Sequence, residues 1–112
     1  MSPQDLKVGC AYYRVTYADP QMTIPGVKPM IYVGTNIADD DDPATVVYYF
    51  QDTVSHRWRG AVTDPAHDSN HPEIESAVFP HTEQEVQSGI LTLADMVAAI
   101  TEALSRAARL QK

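Results

Sequence analysis

The chain lacks the sequence signatures on which many catalytic, secreted and membrane-spanning proteins rely. One cysteine, Cys10, stands among 112 residues, so no intrachain disulfide can form. No stretch reaches the roughly 18 consecutive apolar residues of a membrane span. The five glycines form no phosphate-cradling loop, and no serine sits in a nucleophile elbow. The first nine residues lack the basic segment and apolar run of a signal peptide, which with the cysteine count leads us to expect a soluble, cytoplasmic protein. Lysine and arginine are scarce: eight against 15 aspartates and glutamates, for a net charge of −7. A surface of that sign repels phosphate backbones, so neither direct nucleic-acid binding nor membrane binding is expected.

The charge is unevenly placed. Residues 1–60 carry −2, residues 61–85 carry −6, and residues 86–112 carry +1. The middle stretch holds Asp64, Asp68, Glu73, Glu75, Glu83 and Glu85, three of the four histidines, and no lysine or arginine. A region of this kind keeps a small domain soluble, and it also suits approach to a basic protein partner.

Residue patterning places β structure first and helix last. Residues 8–17 alternate, with Ala11, Tyr13, Val15 and Tyr17 on the face assigned to the core and Tyr12, Arg14 and Thr16 on the other. Pro20, Pro25, Gly26 and Pro29 then suggest a long connection. A second strand is expected over 30–37, with Ile31, Val33 and Ile37 on the core face. A third over 44–52 is apolar on both faces around Val46 to Phe50, as a central strand is. A weaker fourth over 55–62, carrying Arg57 and Arg59, suits a sheet edge, and a short fifth is expected over 73–79.

Thr82 followed by Glu85 has the spacing of a capping box, which starts a short helix over 82–89. Thr92 and Asp95 precede Leu93, Met96, Val97, Ile100 and Leu104, spaced as one apolar stripe, and predict a helix over 93–110.

These elements describe a single α+β domain over 1–112: a β-rich part at 6–79 with a mostly antiparallel, strongly bent sheet of about five strands, then the short helix and the C-terminal amphipathic helix. The strand meander resembles the small barrels of the Src-homology type. That resemblance is architectural, covers about residues 6–79, and brings no residue-level motif or function with it.

Three groups of residues carry chemistry. His67 and His71, with carboxylates nearby and His81 ten residues further on, supply the imidazole and carboxylate ligands of zinc or another divalent metal. Pro65, Ser69, Asn70 and Pro72 instead suit an irregular, solvated loop. The four aspartates 39–42 lack the glycine and terminal glutamate of a helix-loop-helix calcium site, and a solvated turn accounts for them. Tyr12, Tyr32 and Tyr48 (or Tyr49) fall opposite the assigned core, near Arg57 and Trp58. These residue types dominate binding energy at interfaces.

The leading expectation is a non-catalytic interaction or accessory domain. It binds a protein partner through that aromatic sheet surface and the acidic residues Asp68, Glu73 and Glu75, as an inhibitor of a basic site would, and it forms homodimers. The competing readings are a metal-binding protein or metal-dependent enzyme using the His67 and His71 loop, and a small-molecule-binding domain.

Overall fold

Four runs rich in tyrosine, valine and phenylalanine pair in chain order, with one helix between the third and fourth and two more after the last. The computed structural model describes residues 1–68 and 76–111. A 3-10 turn at Pro3–Asp5 leads into β1 (Ala11–Tyr17), β2 (Pro25–Thr35) and β3 (Tyr48–Asp52). Helix α1 (Thr53–Arg59), β4 (Val78–His81), α2 (Glu83–Gly89) and α3 (Leu93–Leu110) follow. The strands form one antiparallel sheet in the order β1-β2-β3-β4. The architecture is α+β. No pairing joins β1 to β4, so the sheet is open and not a barrel. No helix among the described residues is long and apolar enough to cross a membrane.

Two of the prolines expected to mark a connection, Pro25 and Pro29, lie inside β2, because they fall where a strand needs no donor, while Pro20 stands in the turn before it. Tyr13 turns its N–H and C=O outward to Leu91, so Tyr13 and Pro29 form a non-hydrogen-bonded pair in the β1–β2 ladder. Pro25, opposite Tyr17, has the same parity, and the β3 ladder starts only at Met30. Neither missing N–H interrupts a bond. On the other side of β2 the register slips between Tyr32 and Gly34, and Gly34 takes a φ of 137° that other residues rarely adopt. Such a bulge sharpens the twist of the sheet.

The fourth strand expected over 55–62 is helix α1. Its bounds are capped: the Asp52 carboxylate accepts the Ser55 N–H at 2.9 Å, and Gly60, at φ 84°, donates its N–H to the His56 carbonyl. Buried Gln51 fastens the helix to β3, donating to the Ser55 hydroxyl and the Gly60 carbonyl and accepting from the Val62 N–H. The strand expected over 73–79 is in register with β3 only from Val78, and residues 69–75 lie outside the described residues. Residues 44–47 are loop, held at Val47 by the Asn36 side chain.

The faces of β1 and β2 are the reverse of those expected, except at Val33, which is buried as expected beside the register slip. Tyr12, Met30 and Tyr32 point into the core, while Tyr13, Val15 and Tyr17 are half-buried on the other side, where α3 runs along β1. Tyrosines of both parities are apolar enough to line a core, so alternation alone does not choose between them. The choice is made by what covers the sheet: Val86 and Ile90 from α2 and its C-cap, with Met1 and Leu6, close over Tyr12, Met30, Tyr32 and Phe50. Phe50, fully buried on β3, stands at the centre. Its ring lies 6.3 Å from Tyr12 on β1, 5.4 Å from Tyr32 on β2 and 5.0 Å from His81 on β4, centroid to centroid.

Helix α2 begins with the capping box expected from Thr82 and Glu85, both reciprocal bonds being present. Helix α3 matches its expected bounds, with Thr92 capping Asp95. It extends beside the β1–β2 hairpin, whose tip is drawn together by Asp19 accepting from Thr23 and Ile24. The molecule measures 55 × 36 × 21 Å with a radius of gyration of 16.2 Å, above the roughly 13 Å of a compact chain of this length.

Replacing Phe50 by alanine removes the shared contact of all four strands and is expected to cost about 3–5 kcal/mol. A urea midpoint unchanged from the wild type would show that the sheet does not hang on this ring. Burial works to raise the Asp52 carboxyl, but the bonds from the Ser55 hydroxyl, the Ala77 N–H and the Ser55 N–H outweigh it and hold the group below the usual carboxylate range. Its stabilising contribution is therefore complete above about pH 4 and declines as pH falls further. Asp52→Asn should flatten the fall in urea midpoint between about pH 5 and pH 2, and an unaltered profile would refute the assignment.

Candidate functional site

Of the residues expected to form an aromatic binding surface, Tyr12 and Tyr32 do not reach it. Both are core residues, at 5% and 7% exposure, and the Tyr12 hydroxyl is enclosed by the N-terminal segment, accepting the Lys7 N–H at 2.8 Å. Tyr48 is half-buried against the Tyr32 ring. Burial raises the Tyr32 hydroxyl above its ordinary pKa, with the neighbouring Tyr48 adding to it, so it stays a neutral core group. Tyr49 donates its hydroxyl to both oxygens of Asp41 at 2.8 Å. Asp41 and Asp42 also accept the Ala38 and Ala44 N–H groups, so these two aspartates of the 39–42 run serve its turn.

Arg57 and Trp58 are exposed, but on α1 and not on a strand. The Arg57 guanidinium lies 5.4 Å from the Trp58 ring centroid, and Trp58, 63% exposed, stands one helical turn from Val54, also exposed. Asp68 is exposed, and its carbonyl accepts from the buried Arg59 side chain. Glu73, Glu75 and His71 lie outside the described residues.

The structure gives the ring nitrogens of His67 and His81 protein partners. His67 uses Nδ1 on the Gly60 carbonyl at 2.9 Å and Nε2 on the Ser76 hydroxyl at 3.3 Å. His81, buried on β4, uses Nδ1 on the Phe79 carbonyl and Nε2 on Arg14. Among the described residues, no three histidine, cysteine, aspartate or glutamate side chains come together as a metal site. Cys10 is exposed and free.

A run of exposed apolar side chains lies on α3, where helical spacing along the chain suggests a single stripe. Met96, Ile100 and Ala107 are half-buried and Ala103 fully so, which is the side that meets β1. About a quarter turn further round stand Leu93, Val97 and Leu104, spaced four and seven residues apart, at 57%, 52% and 71% exposure. The apolar face is therefore wider than the part the sheet covers.

All four charged residues of α3, Asp95, Glu102, Arg106 and Arg109, fall roughly half a turn from Leu104. Arg106 anchors that far side to the hairpin, donating to the Met22 carbonyl at 2.9 Å and lying 5.5 Å from the Tyr17 ring. Beside the leucines, the Thr101 and Ser105 hydroxyls donate back to the Val97 and Thr101 carbonyls, so the polar atoms there are already satisfied within the helix. The width of this stripe is legible in the sequence; which half of it is covered is not.

No protein-family model matches the chain, and neither a curated protein nor a solved structure is significantly similar to it.

Burial foremost, reinforced by the charges of Arg14 and Lys28, holds the His81 imidazole below the ordinary histidine range, against the pull of the Phe79 carbonyl and Glu85 in the other direction. The unfolded chain then binds the extra proton first. Stability is complete above about pH 6.5 and declines as pH falls below it. His81→Gln should lose less melting temperature than the wild type between about pH 7.5 and pH 5.5, and equal losses in both would remove His81 as the titrating group.

Proposed function

We propose that the protein is a small non-catalytic interaction domain that works as a homodimer, with the exposed half of the α3 apolar face as the surface that joins the two copies. The reading rests on one observation: Leu93, Val97 and Leu104 are more than half exposed in a line along a helix whose charges all lie on its far side. Exposed apolar residues scattered singly need no explanation, whereas a continuous uncharged strip does.

A second copy of the chain suits that strip for two reasons. Two molecules of net charge −7 repel one another wherever their acidic surfaces meet, and residues 86–112 are the part of the chain with a balance of +1. A two-fold axis across α3 also sets the helices antiparallel, so that Leu104 of one copy meets the neighbourhood of Val97 in the other, and the same contact repeats by symmetry. The small residues Ala94 and Thr101 beside the leucines let the helix axes approach closely. The exposed Trp58, Arg57 and Val54 on α1 are a separate surface. They suit a protein partner, since an aromatic ring with an adjacent guanidinium is a frequent centre of interface energy.

Sedimentation equilibrium tests the pairing. The wild type should dimerise with a Kd of roughly 1–100 μM, as expected of a modest interface. Leu104→Glu and Val97→Arg should each give a monomer whose unfolding free energy changes by no more than about 0.5 kcal/mol, as for exposed positions. A wild type that stays monomeric throughout that range, or a dimer that survives both substitutions, would overturn the reading.

A further inference from the structure

Arginine and lysine are outnumbered almost two to one by carboxylates in this chain, yet Arg14 and Lys28 have no carboxylate within 4.0 Å among the described residues. They are also directly opposite one another in the β1–β2 ladder. Like charges at opposed positions of an antiparallel pair destabilise it, and the nearest compensation among the described residues is the longer-range attraction of Glu85 to Arg14. An anion held between them would convert that repulsion into attraction.

The curl of the sheet supplies a place for one. Arg14, Thr16, Lys28 and Met30 lie on the concave face of β1 and β2, and with Phe79, Pro80 and His81 of β4 they border an open cleft of about 410 Å³. That volume falls within the range of small-molecule sites. Each cation is held in place. Arg14 donates from Nη1 to His81 Nε2 at 2.8 Å, and because a guanidinium cannot accept, Nε2 carries no proton and Nδ1 donates to the Phe79 carbonyl at 3.1 Å. The imidazole is therefore neutral: it orients the arginine without cancelling its charge, and it occupies only one of five N–H donors. The Lys28 ammonium rests 3.4 Å from the centroid of the Phe79 ring, a contact that steadies a cation while leaving its hydrogen bonds free. Met30, 1% exposed, forms the floor, and Phe79 and Pro80 add further apolar surface.

We propose that this cleft binds a small organic carboxylate, its charged group between Arg14 and Lys28 and its apolar body against Met30, Phe79 and Pro80. The planar fork of the guanidinium matches a carboxylate through two parallel N–H bonds. The apolar lining favours an acid with a hydrocarbon or aromatic body over a fully hydrated inorganic anion. The site faces away from the exposed strip on α3 and does not depend on the pairing of two copies.

Backbone NMR titration with 3-phenylpropanoate, its neutral amide 3-phenylpropanamide, and inorganic phosphate tests the assignment. The acid should shift the resonances of Thr16, Met30, Phe79 and His81 in a saturable way, with the amide at least about tenfold weaker and phosphate failing to reproduce the pattern. Lys28→Met, which keeps the apolar stem, and Arg14→Gln should each weaken the acid about tenfold or more while leaving the remaining spectrum in place. Leu104→Glu should bind it as the wild type does. Equal binding of acid and amide, the same shifts from phosphate alone, undiminished binding in both cleft variants, or no saturable shift at the cleft would each overturn the proposal.

Discussion

The ring of Phe50 is the constraint on which the rest of the molecule depends. It belongs to β3, yet it packs on Tyr12 of β1, Tyr32 of β2 and His81 of β4. Tyr32 and His81 are on the strands next to β3, but Tyr12 is two places away, a separation of roughly 9–10 Å between strands in a flat sheet. Curling the sheet brings the Tyr12 ring toward Phe50 and closes the group around it. The register slip at Gly34 allows the curl without breaking the β2–β3 ladder. Once β4 has come over β1 and β2, the outermost strands of the sheet touch through side chains, His81 on Arg14, although no backbone ladder joins them. The hydrophobic centre thus shapes a polar contact and the cleft beside it.

A second, polar arrangement holds the remaining elements to that centre. Asp52, at the end of β3, accepts from Ser55 in α1 and from Ala77 ahead of β4, so one carboxylate positions the helix and the returning strand together. Gln51 beside it binds the turn that leaves α1. Every donor and acceptor here is used within the chain, which is the condition under which buried polar groups stabilise rather than cost. Such an arrangement lets 112 residues support an outlying hairpin and an 18-residue helix with apolar side chains left exposed on it.

The parts of the fold legible in the sequence are those governed by neighbours a few residues apart. Thr82 and Glu85 announce α2, and the stripe from Leu93 to Leu104 announces α3, because capping and helical periodicity are local. The Asp52 and Gly60 caps that bracket α1 were equally local, but alternating His56, Arg57, Trp58 and Arg59 imitated a strand and masked them. Pro25 and Pro29 imitated a loop, since the sequence does not show which N–H groups a strand can spare. The cleft had no sequence signal beyond two scattered cations, because Arg14 and Lys28 become opposed only through the hairpin register, and His81 joins them only through the curl.

The sequence by itself determined the α+β class, the antiparallel meander, the two terminal helices and the acidic balance, all of which follow from composition and from periodicities of two and 3.6 residues. Tertiary structure alone decided which face of each tyrosine-rich strand is inside. With aromatic side chains on both parities of β1, either face could have been buried, and the outcome rested on where α2 and the N-terminal segment came to lie. That same choice turned Tyr12 and Tyr32 from surface into core, set Arg14 and Lys28 on the concave side, and left half of α3 uncovered. Burial depends on what a residue meets across the fold, and the order of residues along a strand does not contain that information.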